Sequence, residues 1–204
     1  MNDIKKLVKK INELKPDIVV FTGDLFTKDI KISDKEVKNL KNELGRINAK
    51  IEKFAILGDN DKHFKDKFYT TLNDDFIILD NEVFDLYNGS EDLIKIVGIN
   101  DVKKEDASLK EDTNYKILLL HKPDEIEKLK GSYNIALTGH SMGGQVKFPF
   151  YGPLVKLKGA KTYVSGYYKV SNTKLYVNDG IGSQNINMRI NNRPKINFYR
   201  LYQK

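Results

Sequence analysis

Leu137–Phe150, LTGHSMGGQVKFPF, admits two folds. Gly139-His140-Ser141-Met142-Gly143 matches G-x-S-x-G, the strained strand-to-helix turn that lifts a nucleophilic serine above the sheet of a serine hydrolase. The same stretch also reads as a glycine-rich metal-binding loop that has lost one ligand. The first reading needs a helix directly after the serine and a histidine base later in the chain. The continuation is QVKFPFYGPLV, with Pro149, Gly152 and Pro153 where that helix should run, and the three histidines, His63, His121 and His140, all precede Ser141. No triad in the required order can be built, so Ser141 is left as a loop residue without chemistry.

Outward from this loop the periodicities alternate, which predicts a layered α/β architecture. NDIKKLVKKINEL places Ile4, Leu7, Val8, Ile11 and Leu14 at helical spacing, and KEVKNLKNELGRI reads as a second helix ending at Gly45. IVVFTGD and KFAILGDND read as buried strands, FIILDNEVFDLY and LIKIVGIND as strands of a meander, and YKILLLHKPDEIEKL as strand, loop and short helix. NIALTGHSMGG is another strand running into a loop, and TYVSGYYKV, TKLYVNDGIG and INFYRLY read as antiparallel strands. Four strands end in polar clusters: Gly23-Asp24, Gly58-Asp59-Asn60-Asp61, His121 and Gly139-His140. Ligands of open α/β sheets sit at the carboxyl ends of strands, so these loops are expected to converge on one site.

Bulk properties narrow the classes. The chain of 204 residues reads as a single domain spanning 1–204, with no cysteine for disulfides, Cys-ligated zinc or iron–sulfur clusters. No apolar run approaches the roughly 20 residues needed to cross a bilayer, and MNDIKKLVKK has no signal-peptide core, so the chain as given is expected to be cytoplasmic. From His140 onward 11 Lys and Arg face one acid, Asp179, whereas the first 139 residues carry 24 Lys and Arg against 27 acids. The basic half suits phosphate, nucleic acid or an anionic membrane surface with peripheral association, and reads equally well as a lysine-rich solvated surface. No specific nucleic-acid module is present.

Asp, Asn and His at strand ends suit Mn²⁺, Fe²⁺ or Zn²⁺. Two such ions about 3.5–4 Å apart can activate a water and clamp a phosphoryl group. The succession PDIVVFTGDLF, AILGDND, IVGIND, ILLLHKPD, LTGHSMGGQVKFP and KLYVNDGIG resembles the calcineurin-like metallophosphoesterases, and is most similar to the bacterial branch carrying G-H-T-H-G-G-Q. The resemblance runs in one register from about residue 1 to 204. It implies a two-sheet β-sandwich flanked by helices, and hydrolysis of a phosphomonoester or phosphodiester by a metal-bound hydroxide. The substrate it implies is a phosphate ester, lipid- or nucleotide-linked.

Residue by residue, the resemblance makes Asp24 the carboxylate that bridges two metals. Asp59 stands where the family has an Asn ligand, and His121 and His140 match second-site ligands. Asn60 takes the position of the catalytic histidine, where an amide cannot act as a general acid. Met142 falls where a second loop histidine is expected, and a thioether is a poor ligand for Mn²⁺ or Zn²⁺. The family's first strand, ending in D-x-H, has no counterpart, so the domain reads as N-terminally incomplete, with apolar edges exposed where that strand would lie. One well-formed site is therefore expected, Mn²⁺ foremost, held by Asp24, Asp59, His121 and His140, beside a degenerate second site and with impaired turnover. The alternative is a non-catalytic one-metal binding or regulatory relative, or an incomplete gene product. Asp61 is expected to brace its loop rather than bind metal, and His63 to lie at the surface.

Overall fold

Alternating side chains distribute the strands' apolar residues between separate cores, and that partition sets the layers. The computed structural model describes residues 2–87, 93–106, 109, 112–148, 151–183 and 188–202. Helix α1 (Asn2–Glu13) is followed by β1 (Ile18–Phe21), α2 (Asp34–Leu44), β2 (Glu52–Ala55), α3 (Lys65–Leu72) and β3 (Ile77–Ile78). A capping box starts α2: Ser33 Oγ accepts from Glu36 N–H, and the Glu36 carboxylate accepts from Ser33 N–H at 2.8 Å. The strands β1, β2 and β3 form one parallel sheet in that order. A second sheet has the order β10-β11-β7-β6-β5-β4, from β4 (Glu82–Tyr87), β5 (Leu93–Ile99), β6 (Tyr115–Leu120), β7 (Ile135–Thr138), β10 (Gly166–Val170) and β11 (Thr173–Val177). A two-stranded hairpin, β8 (Lys147–Phe148) with β9 (Gly152–Pro153), stands apart from both.

Val19, Phe21, Ala55 and Leu57 turn toward the helices and pack with Val8, Leu44, Phe68 and Leu72. Their neighbours Ile18, Val20, Phe54 and Ile56 turn the other way and meet Ile94, Ile96, Ile117 and Leu119 of the second sheet. The second sheet's far face carries Val97, Ile99, Leu118, Leu120, Leu175 and Val177 onto Leu109, Ile126 and Tyr133. The result is a layered α/β sandwich with helices on one side, as the sequence indicates.

The details depart in three places. FIILDNEVFDLY is not one arm of a meander, because β3 joins the first sheet and only β4 pairs antiparallel with β5. KDKFYTTL forms α3, whose Phe68 and Leu72, one turn apart, are buried. INFYRLY forms no strand; residues 191–202 run without a ladder partner among the described residues, with Phe198, Leu201 and Tyr202 exposed. On the other side of the first sheet, β1 pairs with β2 alone among the described residues, leaving its second edge free.

Candidate metal centre

Four strands from both sheets deliver their carboxyl ends to one place. After β1 the chain turns through Gly23 (φ 91°) and Asp24 (φ 62°), and after β2 it passes Gly58. A Cβ on Gly23 would lie 2.3 Å from the Gly58 nitrogen, so only paired glycines let the two loops touch. Asp61 locks that contact. Its fully buried carboxylate accepts from the backbone N–H groups of Asp24 (2.7 Å), Gly58 (2.9 Å) and Phe26 (3.1 Å). Burial pushes the Asp61 carboxyl up, with the neighbouring Asp24 charge acting the same way, while the three donors oppose the shift.

The second sheet supplies two imidazoles. His121 follows β6 and His140 follows β7, the latter with φ 62°, a left-handed conformation uncommon outside glycine. His121 Nδ1 donates to the Thr22 carbonyl at 2.7 Å, and His140 Nε2 donates to the Lys158 carbonyl at 3.0 Å. Each ring thus has one nitrogen committed to a carbonyl, which fixes the role of the other. The remaining nitrogens face each other: His121 Nε2 lies 3.1 Å from His140 Nδ1 and 3.3 Å from the Asp24 carboxylate. One donor atom from each of Asp24, His121 and His140 lies within 4.8 Å of the others.

This donor set fits a divalent cation. Two neutral imidazole nitrogens and a carboxylate oxygen match the preferences of first-row metals. Adjacent ligands with bonds of about 2.1 Å to one ion stand about 3 Å apart, close to the separations seen here. Without a cation, only a proton can hold two such nitrogens together. Burial lowers the His121 imidazole, but the hydrogen bond and charge of Asp24 outweigh it and raise the value. His140 is lowered by burial and by His121 beside it. Asp24 is raised by burial, yet His121 and the Asn60 N–H (2.9 Å) bring it below the ordinary carboxylate range.

Asp59 stands apart from the other three expected ligands. Its carboxylate pairs with Lys122 at 2.5 Å and Lys62 at 3.6 Å, and the Lys122 ammonium overcomes burial to keep its pKa low. Asn60 is buried beside the centre and contributes its backbone N–H. His63 is exposed on the turn of 3-10 helix from Asp61 to Phe64. The Met142 sulfur lies 3.6 Å from Arg189 Nη2, while its carbonyl accepts from Asn192 at 2.6 Å. Gly143, with φ 56°, packs against Asp179; a Cβ there would come within 2.5 Å of the Asp179 Cγ. Sequence reasoning missed Lys122, Lys158 and Arg189. Lys122 directly follows His121 and could have been singled out, but the sequence carried no signal for Arg189. A cleft of about 430 Å³, reached from Asp59 through its partner Lys62, is lined by Lys62, Lys65, Lys104, Asp80, Asp101 and Glu125, so its charges balance, and Lys65 is paired with Asp80 at 3.2 Å.

The profile of the calcineurin-like phosphoesterases matches residues 1–166. A metallophosphoesterase of Bacillus subtilis, YkuE, is 32% identical over 214 residues, a match covering 98% of this chain and 73% of that protein. A metallophosphoesterase of Helicobacter pylori is 32% identical over 217 residues, covering 98% of this chain but 55% of its own length. The UDP-2,3-diacylglucosamine pyrophosphatase LpxG of Chlamydia muridarum is 28% identical over 241 residues, covering 88% of this chain and 72% of LpxG. The chain therefore spans about three quarters of the first relative and about half of the second.

Proposed function

Since this chain belongs to the calcineurin-like phosphoesterases, we propose that it is a phosphoester hydrolase working with a single divalent cation held by Asp24, His121 and His140. The observation that carries this reading is the apposition of His121 Nε2 and His140 Nδ1 at 3.1 Å, with each ring's other nitrogen committed to a carbonyl. A bound cation supplies Lewis acidity toward a phosphoryl oxygen and lowers the pKa of a water. The chain's residues do the rest. Asp24 brings negative charge to the cation and is steadied by the Asn60 N–H. Asp59 serves as a further ligand once its pair with Lys122 opens, which frees that ammonium to face the phosphate. Asn60 can donate a hydrogen bond to a phosphoryl oxygen but cannot protonate the leaving group, so turnover is slow. Mn²⁺ is the expected metal. The similarity to LpxG supports a substrate in which the phosphate is lipid- or nucleotide-linked.

A second reading, a non-catalytic one-metal relative, is favoured by one observation: Met142 meets the Arg189 guanidinium, leaving that position without an imidazole. One experiment separates the two. Purified protein and Asp24→Ala are compared for bound Mn²⁺ by elemental analysis and for hydrolysis of bis-(p-nitrophenyl) phosphate. The expected result is one ion per chain and weak turnover, both lost in the variant. One ion with no turnover above the variant selects the non-catalytic reading. Two ions at full occupancy, or none, overturn the single-cation centre.

A further inference from the structure

We propose that the β8–β9 hairpin, with the chain beside it, is a docking face for an anionic lipid bilayer. Its strands pair Lys147 with Pro153 and Phe148 with Gly152. At and beyond its tip Tyr151 is 92% exposed and Leu154 66%, with Phe148 and Val155 also exposed. Ile190, exposed as well, lies alongside, because Lys147 N–H donates to the Ile190 carbonyl at 2.9 Å. Apolar side chains gathered at one exposed place mark an interaction site.

The charge around the patch names the partner. From His140 onward the one acid is Asp179, which is buried and held by Lys195 at 2.6 Å and Lys147 at 3.2 Å. No side-chain carboxylate of this half is exposed among the described residues. Lys156 and Lys158, which directly follow Leu154 and Val155, are exposed and join no ion pair among those residues. Aliphatic and aromatic side chains with two free lysines beside them match the boundary of an anionic membrane: the apolar groups enter the headgroup–acyl zone, tyrosine sits at the headgroups, and Lys156 and Lys158 meet anionic lipid. Phe148 and Tyr151 could stack bases, but Leu154, Val155 and Ile190 offer them no ring face, so the larger aliphatic share of the patch favours a bilayer over nucleic acid. A second copy presenting the same face would set like charge against like.

The hairpin follows directly from the His140 loop and returns to it. A Cβ on Gly144 would lie 3.0 Å from the Val155 carbonyl, and the Lys158 carbonyl holds His140. A membrane docked here brings its headgroups to the side of the centre. Docking goes beyond the hydrolytic reading and needs no turnover; only the step from docked membrane to membrane-borne substrate rests on that reading.

The chain contains no tryptophan, so Tyr151→Trp places a single reporter at the tip. Its emission is expected to move to the blue with phosphatidylcholine–phosphatidylglycerol vesicles, to stay put with phosphatidylcholine alone, and to revert in high salt. Tyr87→Trp, at a 64% exposed position on β4, is expected to show no shift. Removing two lysines with Lys156→Gln and Lys158→Gln should weaken flotation with anionic vesicles roughly thirtyfold, with circular dichroism confirming the fold. Equal shifts at both reporters, equal binding to zwitterionic vesicles, or no flotation at all would overturn the proposal. A blue shift that follows protein concentration without vesicles would overturn it in favour of self-association. Asp24→Ala should float like the unaltered protein. Loss of hydrolysis with intact flotation therefore touches the catalytic reading alone, and hydrolysis of a soluble ester without flotation touches docking alone.

Discussion

On the proposed hydrolytic reading, Asn60 is the residue that limits turnover, because the resemblance calls for an acid where it offers only a hydrogen-bond donor. Its backbone N–H anchors Asp24 at 2.9 Å whatever the side chain, so Asn60→His changes the chemistry and leaves the anchor. The variant is expected to hydrolyse an alkyl phosphodiester about a hundredfold faster, the lower end of typical general-acid effects. That gain should fade as pH rises through the imidazole pKa, a limb the parent protein lacks. Esters of p-nitrophenol, whose leaving group needs no proton, should gain little. A pH–rate profile on both substrates decides the matter: no gain on the alkyl ester would mean that position 60 does not face the leaving oxygen. Asp24 and His140 show a related economy at single positions, both held at φ 62° so that side chains from different sheets meet.

At the scale of elements, Asp179 joins the end of β11 to two other stretches, Lys147 in β8 and Lys195 in the C-terminal segment. Burial raises its carboxyl, but Lys195, Ser165 and Lys147 outweigh that and bring it below the ordinary value. A lowered folded-state pKa gives stability that is present above the unfolded value of about 4 and is lost as pH falls through the folded one. Asp179→Asn should therefore cost about 1–3 kcal/mol at neutral pH, with the gap to the parent closing below about pH 4. Urea unfolding across pH measures it, and a gap that persists in acid would show that the carboxylate's charge is not what matters. The elements themselves were largely legible. Runs such as KILLL and IVVF are apolar on both sides because each strand serves two cores, and the polar residues that end them mark the site. INFYRLY carries strand propensity but no ladder partner among the described residues, and propensity without pairing does not make a strand. Asp24, His121 and His140 could be read from their place at strand ends, whereas the pairing of Asp59 with Lys122 depends on how two loops approach and leaves no periodic trace.

Across the whole molecule, the centre is a place where the two sheets meet through polar contacts, since Asp24 belongs to the first and the histidines to the second. A cation bound there crosslinks the sandwich at its rim and binds the folded chain alone, so it must stabilise the fold by mass action. At a concentration a hundredfold above its dissociation constant the gain is about 2.7 kcal/mol, which for a domain of this size raises the melting midpoint by about 5–10 °C. Calorimetry with and without Mn²⁺ should show this rise in the parent and its loss in Asp24→Ala and His121→Ala. The metal-induced difference is the quantity to compare, because Asp24→Ala also removes the acceptor for the Asn60 N–H and lowers the midpoint on its own. His63→Ala is the control, an exposed histidine outside the cluster, and should keep the full rise. An equal rise in all three variants would place the cation elsewhere on the chain. Together with the docking face beside His140, a rise confined to the intact cluster would describe a sandwich closed by its metal at the point where it meets the membrane.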